Sequence, residues 1–130
     1  MDEIDLRILK ILKRNARTKY VEIAKTVGLT EGAVRRRVQE LVKKGIIKRF
    51  TIETTVEVEG IVLIKTEPMY TKEATTEVSK IAERVFETSG DYDIAALIQA
   101  QTIEELNRKI DEIRRLSSVL STNTLVKLNE

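Results

Sequence analysis

The sequence predicts an α+β protein in two parts, a block of helices followed by strands that alternate with helices. Three observations carry this. Apolar residues recur at helical spacing three times before residue 45. Beyond residue 60, short apolar runs alternate with two further helical stretches. The charge also changes sign between the parts. Residues 1–50 hold 14 Lys/Arg against 6 Asp/Glu, a net +8, whereas residues 51–130 hold 9 against 15, a net −6. Such a split points to one half that meets a polyanion and one that does not.

The first helix is expected from about Asp2 to Asn15, capped by Asp2, with Ile4, Ile8, Ile11 and Leu12 along one side. Tyr20, Ile23, Ala24 and Val27 fall at i, i+3, i+4 and i+7, and Gly28 follows as a stop. Thr30 offers a capping hydroxyl for a third helix, and Glu31 complements its positive end. Val34, Val38, Leu41 and Val42 form the expected buried stripe of that helix, and Gly45 ends it. The second and third helices, separated only by Gly28-Leu29-Thr30, read as a helix-turn-helix. Ile46–Ile52 reads as a β-strand, so a wing is expected.

The second part carries no Pro/Gly/Ser-rich linker before it, so the boundary is expected within a connecting strand near Phe50–Thr55. Val62–Lys65 is an apolar strand ended by Pro68, and Thr71 is positioned to cap a helix with Ala74, Val78, Ile81 and Ala82 on one face. Val85-Phe86-Glu87 reads as a short strand, or as the last turn of that helix, and Ile94–Ala100 as a central strand. Thr102 and Glu105 have the spacing of a capping box, ahead of a helix expected to bury Ile103, Leu106, Ile110 and Ile113. Thr124–Leu128 closes the chain as a strand. The order β-α-β-β-α-β is the ferredoxin-like plan, an antiparallel sheet with two helices on one face.

The chemistry of the first part lies on its third helix. With Val34, Val38, Leu41 and Val42 inward, Gly32, Arg35, Arg36, Gln39 and Lys43 point outward, just after the capping Thr30. Arginine can bond two acceptors of guanine, and glutamine two groups of adenine, in a major groove. Lys44, Lys48 and Arg49 beside the expected wing would neutralise phosphates. Double-stranded DNA is therefore the expected partner. Arg37 sits at the margin of the buried stripe and is expected to pair with an acid such as Asp5.

Composition narrows the alternatives. The chain has 130 residues, 42% of them apolar, enough to bury a core. It has no cysteine and no histidine, which removes disulfides, thiolate sites, the usual general base and the commonest transition-metal ligands. No cofactor, no metal and no catalytic residue is expected. No apolar run approaches the roughly 20 residues of a membrane span, and Met1-Asp2-Glu3 carries acid where a signal peptide carries base. A cytoplasmic protein without a membrane partner is the expectation.

These segments together resemble the Lrp/AsnC (feast/famine) regulators, in particular archaeal members that respond to lysine. The likeness rests on Asp5-Leu6-Arg7-Ile8-Leu9, Asn15-Ala16-Arg17, Glu22-Ile23-Ala24-Lys25, Val27-Gly28-Leu29-Thr30 and Val34-Arg35-Arg36-Arg37-Val38. It continues through Gly45-Ile46-Ile47, Gly90-Asp91-Tyr92-Asp93 and Thr122-Asn123-Thr124-Leu125-Val126. The stretch Phe50–Ile61 departs from the family, being shorter than usual and without its typical Asp-Pro and Leu-Gly turn.

The resemblance implies a winged helix-turn-helix over residues 1–50 and a connecting strand or hinge over 51–60. It implies a ferredoxin-like effector-binding and oligomerisation domain over 61–130. Homodimers through the sheets, assembling to tetramers or octamers, are implied, with an amino acid as effector and lysine as a candidate. Gly90, Asp91, Tyr92 and Asp93, with Thr122 and Thr124, would line the effector site. The residues alone allow that reading, since acids take an ammonium group and hydroxyls a carboxylate, and equally allow a plain turn between strands. Some haem-pathway decarboxylases also resemble this family, but they use histidine, which this chain lacks. An effector-independent regulator, or an amino-acid sensor with an idle DNA-binding head, are the alternatives.

Overall fold

Asp2 opens the first helix, α1 (Glu3–Arg14), by accepting a hydrogen bond from the Asp5 N–H at 2.8 Å. It thereby satisfies one of the donors that every helix start leaves free. Ile8 and Leu12 are buried, with Ile4 and Ile11 packed beside them. Helix α2 (Tyr20–Val27) ends at Gly28, whose φ of +74° is the left-handed cap that glycine adopts without strain. Helix α3 (Glu31–Lys43) starts at Thr30, whose hydroxyl accepts from the Ala33 N–H at 3.1 Å. Ile8, Leu12, Ile23, Ala24, Val27, Val34 and Val38 form one core. This helical unit spans Met1–Glu53 and the second unit spans Thr54–Glu130; the computed structural model describes residues 1–129.

Two expectations for the helical unit fail. Val42 is 46% exposed, because at about 100° per residue it stands well to one side of the buried stripe Val34–Val38–Leu41. The strand expected over Ile46–Ile52 does not form. The N–H groups of Ile46 and Ile47 instead both close back on the Leu41 carbonyl. From Lys48 to Thr54 the backbone has no regular structure, and Phe50 and Ile52 are exposed. A strand is stable only with a ladder partner, and among the described residues this segment has none. The wing is thus an unpaired segment, and the connecting strand expected over 51–60 begins only at Val58.

In the second unit β1 (Val58–Thr66) is followed by a 3-10 turn (Pro68–Tyr70), α4 (Thr71–Ser79), β2 (Arg84–Glu87), β3 (Ile94–Ala100), α5 (Ile103–Arg114) and β4 (Val119–Val126). The sheet order is β2-β3-β1-β4, antiparallel throughout, which is the ferredoxin-like topology. Val62 and Ile64 of β1 and Ile94, Ala96 and Ile98 of β3 alternate toward the helices, where Ala74, Val78, Leu106, Ile110 and Ile113 cover them. Gly60 lies on the same face. A Cβ there would stand 3.3 Å from the Leu125 carbonyl oxygen and 3.7 Å from a Leu106 methyl.

The other face of the sheet is not covered by any helix of the unit. A cross-strand row, Arg84–Leu97–Ile61–Leu125, runs over all four strands, and Phe86–Ala95–Leu63–Asn123 lies beside it. Ile61 is 44% exposed and Leu125 51%. Glu59 marks one end of this face, accepting from Gln99 at 2.9 Å and Lys127 at 3.0 Å. These contacts hold its carboxyl below the usual carboxylate range, the Gln99 bond contributing most.

Details at two helix starts and one helix face differ from expectation. Thr71 is the first residue of α4 rather than its cap, and its hydroxyl bonds that of Thr66 at 2.7 Å. Thr102 caps α5 through the Glu105 N–H, but the returning bond from Glu105 reaches the Gln101 N–H, one residue early. Ile103, in the first turn of α5, is half exposed rather than buried.

Candidate functional site

Successive residues of a helix turn by about 100°, so the inward stripe Val34–Val38–Leu41 fixes every other side chain of α3. Gly32, Arg36, Gln39 and Lys43 then form the stripe directly opposite the core, and all four are exposed. Gly32 has open space where a side chain would stand, so a duplex backbone can approach closely there. Arg36 and Lys44 also line a shallow groove of about 460 Å³ bounded by Met1, Asp5 and Leu29. Lys48 and Arg49 are exposed on the segment after the helix.

Arg35 is placed differently from Arg36. It lies a quarter-turn aside, where its Nη2 meets Glu31 Oε1 at 2.7 Å and its guanidinium stands 5.5 Å from the Tyr20 ring centroid. The pair with Glu31 is half exposed and contributes little stability. Its effect is orientation: Arg35 is drawn along the start of α3 toward α2. Tyr20 and Glu31 are thus the residues sequence reasoning missed. The i, i+4 spacing of Glu31 and Arg35 was a usable signal; the Tyr20 contact is between helices and left none.

Arg37 behaves as expected, and binds a second acid as well. Its Nη1 meets Asp2 Oδ2 at 2.8 Å and Asp5 Oδ1 at 3.1 Å. The hydrogen bond from Arg37 lowers the Asp2 carboxyl, helped by the Asp5 N–H, and the two acids raise the guanidinium in turn. Arg37 therefore ties α3 to the start of α1 and is not available to a duplex.

In the second unit, the loop before β3 is fixed by its own backbone. Thr88 donates from its hydroxyl to the Tyr92 carbonyl at 2.7 Å, and Gly90 adopts φ +111°. Asp93 donates its N–H to the Ile64 carbonyl at 2.9 Å, and its carboxylate accepts from the Thr66 N–H at 2.9 Å. Asp93 is thus spent on holding the turn. Asp91, by contrast, is exposed and, among the described residues, pairs with none. Tyr92 lies below Lys65, whose Nζ is 5.7 Å from the ring centroid.

Thr122 and Thr124 stand on β4 opposite Ile64 and Val62, on the helix-facing side. Thr122 accepts from Arg114 Nε at 3.4 Å, while the Thr124 hydroxyl is buried and, among the described residues, has no partner. Ile94, which follows the loop, shares a cross-strand row with Ile64 and Thr122. Loop and threonines thus occupy one end of the sheet, two strands or about 10 Å apart, and among the described residues no hydrogen bond joins them.

Comparisons with known proteins decide the family. A family model described as winged helix-turn-helix DNA-binding matches residues 1–48. The HTH-type transcriptional regulator LysM of Sulfurisphaera tokodaii is 47% identical over 98% of this chain and 95% of its own length. The solved structure of AsnC from E. coli, 27% identical, superposes with a TM-score of 0.70 over 100% of this chain and 93% of that one. The chain belongs to the Lrp/AsnC family of transcriptional regulators. The fold of this Lrp/AsnC regulator is also that of a transcriptional regulator from Neisseria meningitidis solved as an L-Met complex, 17% identical with a TM-score of 0.74 over 100% and 91% of the two chains. Among the described residues of the regulator, no helix is long and apolar enough to cross a membrane.

Proposed function

We propose that this DNA-binding transcriptional regulator reads sequence with Arg36 and Gln39, and positions itself with Thr30, Gly32, Lys43, Lys44, Lys48 and Arg49. Arg35 joins them by exchanging Glu31 for the duplex. The observation that carries this is the stripe Gly32–Arg36–Gln39–Lys43, exposed and opposite the core, on the second helix of a helix-turn-helix. Arg36→Ala is expected to cost about 1–3 kcal/mol of discrimination between the selected sequence and others. Lys44→Ala should instead weaken all sequences alike and flatten the salt dependence. Competition binding on selected and scrambled duplexes separates the two. Unchanged discrimination in Arg36→Ala would remove that residue from base reading.

The same reading extends to an amino-acid effector, a self-associating sheet face and a cytoplasmic setting. Asp91 supplies an unpaired acid for an ammonium group, and Thr124 a hydroxyl without a partner for a carboxylate. Gly90, Tyr92 and Thr122 complete the lining, and Asp93 braces it. The L-Met bound by the Neisseria regulator supports this class of ligand, and lysine is the first amino acid to test, given the acidic second part. The uncovered row Leu97–Ile61–Leu125 supports a homodimer through the sheets, from which tetramers or octamers can be built.

Asp91→Ala is expected to abolish the response of DNA affinity to amino acid while ligand-free DNA binding persists. The coupling to be removed is about 1–3 kcal/mol. Calorimetry with each of the twenty amino acids checks it. If none binds at millimolar concentration, the loop is an ordinary turn, as the hydrogen bonds of Asp93 would allow, and the regulator acts without effector.

A further inference from the structure

We propose that Lys10, Lys13, Arg14, Arg17 and Lys19 form a separate phosphate-gripping surface that engages the duplex backbone beside the recognition helix. This rests on the reading of α3 as the groove-facing helix. From Leu6 to Val21 the chain carries six cations and no acid. Arg7 is occupied, donating to the Thr26 carbonyl at 2.7 Å. The other five are exposed and, among the described residues, none meets a carboxylate. Arg35, Arg37, Lys109, Arg114 and Lys127 all do.

Helix stability does not account for the strip. Lys13 and Arg14 suit the negative end of α1, but Lys19 stands at the start of α2, where a cation opposes the helix dipole. Lys10, Lys13 and Arg14 also repel one another at i, i+3 and i+4. The charge is therefore held against a local cost, as expected when a polyanion uses it.

Its position fits that partner. The turn between α1 and α2 is fixed by Asn15, whose side chain accepts from the Arg17 N–H at 2.9 Å and whose carbonyl accepts from the Thr18 hydroxyl at 2.7 Å. Tyr20, next to Lys19, stacks against Arg35 of α3. The Lys19 end of the strip therefore adjoins the side of α3 that carries Arg35. When a recognition helix enters the major groove, the preceding helices meet the flanking backbone. Lysine and arginine bind phosphate there whatever the bases are.

The test is the salt dependence of binding by the full-length triple variant Arg14→Gln, Arg17→Gln, Lys19→Gln. Two probes are used, a duplex selected by the wild-type protein from a random pool and a scrambled duplex. Each phosphate that the variant no longer grips should make the plot of log affinity against log salt shallower by about 0.9, roughly 2 to 3 in all, with both duplexes weakened by the same factor. Lys72→Gln, Lys80→Gln, Arg108→Gln removes equal charge from exposed positions of the second unit and should leave the slope unchanged. An unaltered slope in the first variant overturns the strip and leaves α3 in place, as does weakening confined to the selected duplex or an equal change in the second variant. Failure of the wild-type protein to bind either duplex overturns both readings.

Discussion

Replacing Ile8 by alanine is expected to cost the helical unit about 2–5 kcal/mol and to abolish DNA binding at temperatures where the second unit stays folded. Ile8 is fully buried and packs in a core of only seven buried residues among those described. A unit of this size has little stability in reserve, since small domains bury a smaller share of their surface. The core of the sheet unit contains none of these residues. Calorimetry should show two transitions, with the helical one lowered by more than about 10 °C and the other unmoved. A single transition that shifts as a whole would show that the two units melt together.

The second large effect is expected from Ile61→Asp on the uncovered sheet face. Ile61 sits mid-row between Leu97 and Leu125, above a shallow apolar depression of about 330 Å³. In a two-fold dimer each substitution enters twice across the same patch. Like charges brought together in a closing interface cost several kcal/mol, so association should weaken by at least about a hundredfold. Sedimentation of wild type and variant at micromolar concentration measures it. The sheet unit should stay folded, since Ile61 already faces away from the helices. An unchanged sedimentation coefficient would show that the copies do not meet through this face.

Much of the fold was legible because the signals were local. Asp2, Gly28, Thr30 and Thr102 mark helix ends through bonds spanning three or four residues, and each does so in the structure. What failed depended on partners distant in sequence. Ile46–Ile52 has the composition of a strand, yet composition cannot supply the second strand. Val42 and Ile103 fall at helical spacing, but spacing gives a stripe of positions and does not say how wide a neighbour covers it. The site divides the same way. That Arg37 pairs with an acid followed from its angle to Val34; that Arg35 turns aside to Tyr20 did not, because the contact joins two helices. Asp91 and Asp93, two residues apart and chemically alike, take opposite roles because only Asp93 reaches the Thr66 N–H.

The close fit at Gly60 sets how near β4 can stand to β1. With the Leu125 carbonyl 3.3 Å from where a Cβ would stand, a methyl group there presses on β4, which must give by a few tenths of an ångström, while the Leu106 methyl at 3.7 Å is in ordinary contact. Strand β4 carries Thr122 and Thr124, and α5 carries Arg114, which bonds Thr122. The missing side chain therefore acts as a spacer gauge, letting β4 stand a few tenths of an ångström nearer β1 than a Cβ would allow. A larger residue at 60 would therefore shift the strand that carries both threonines without altering either of them, a change of spacing rather than of chemistry.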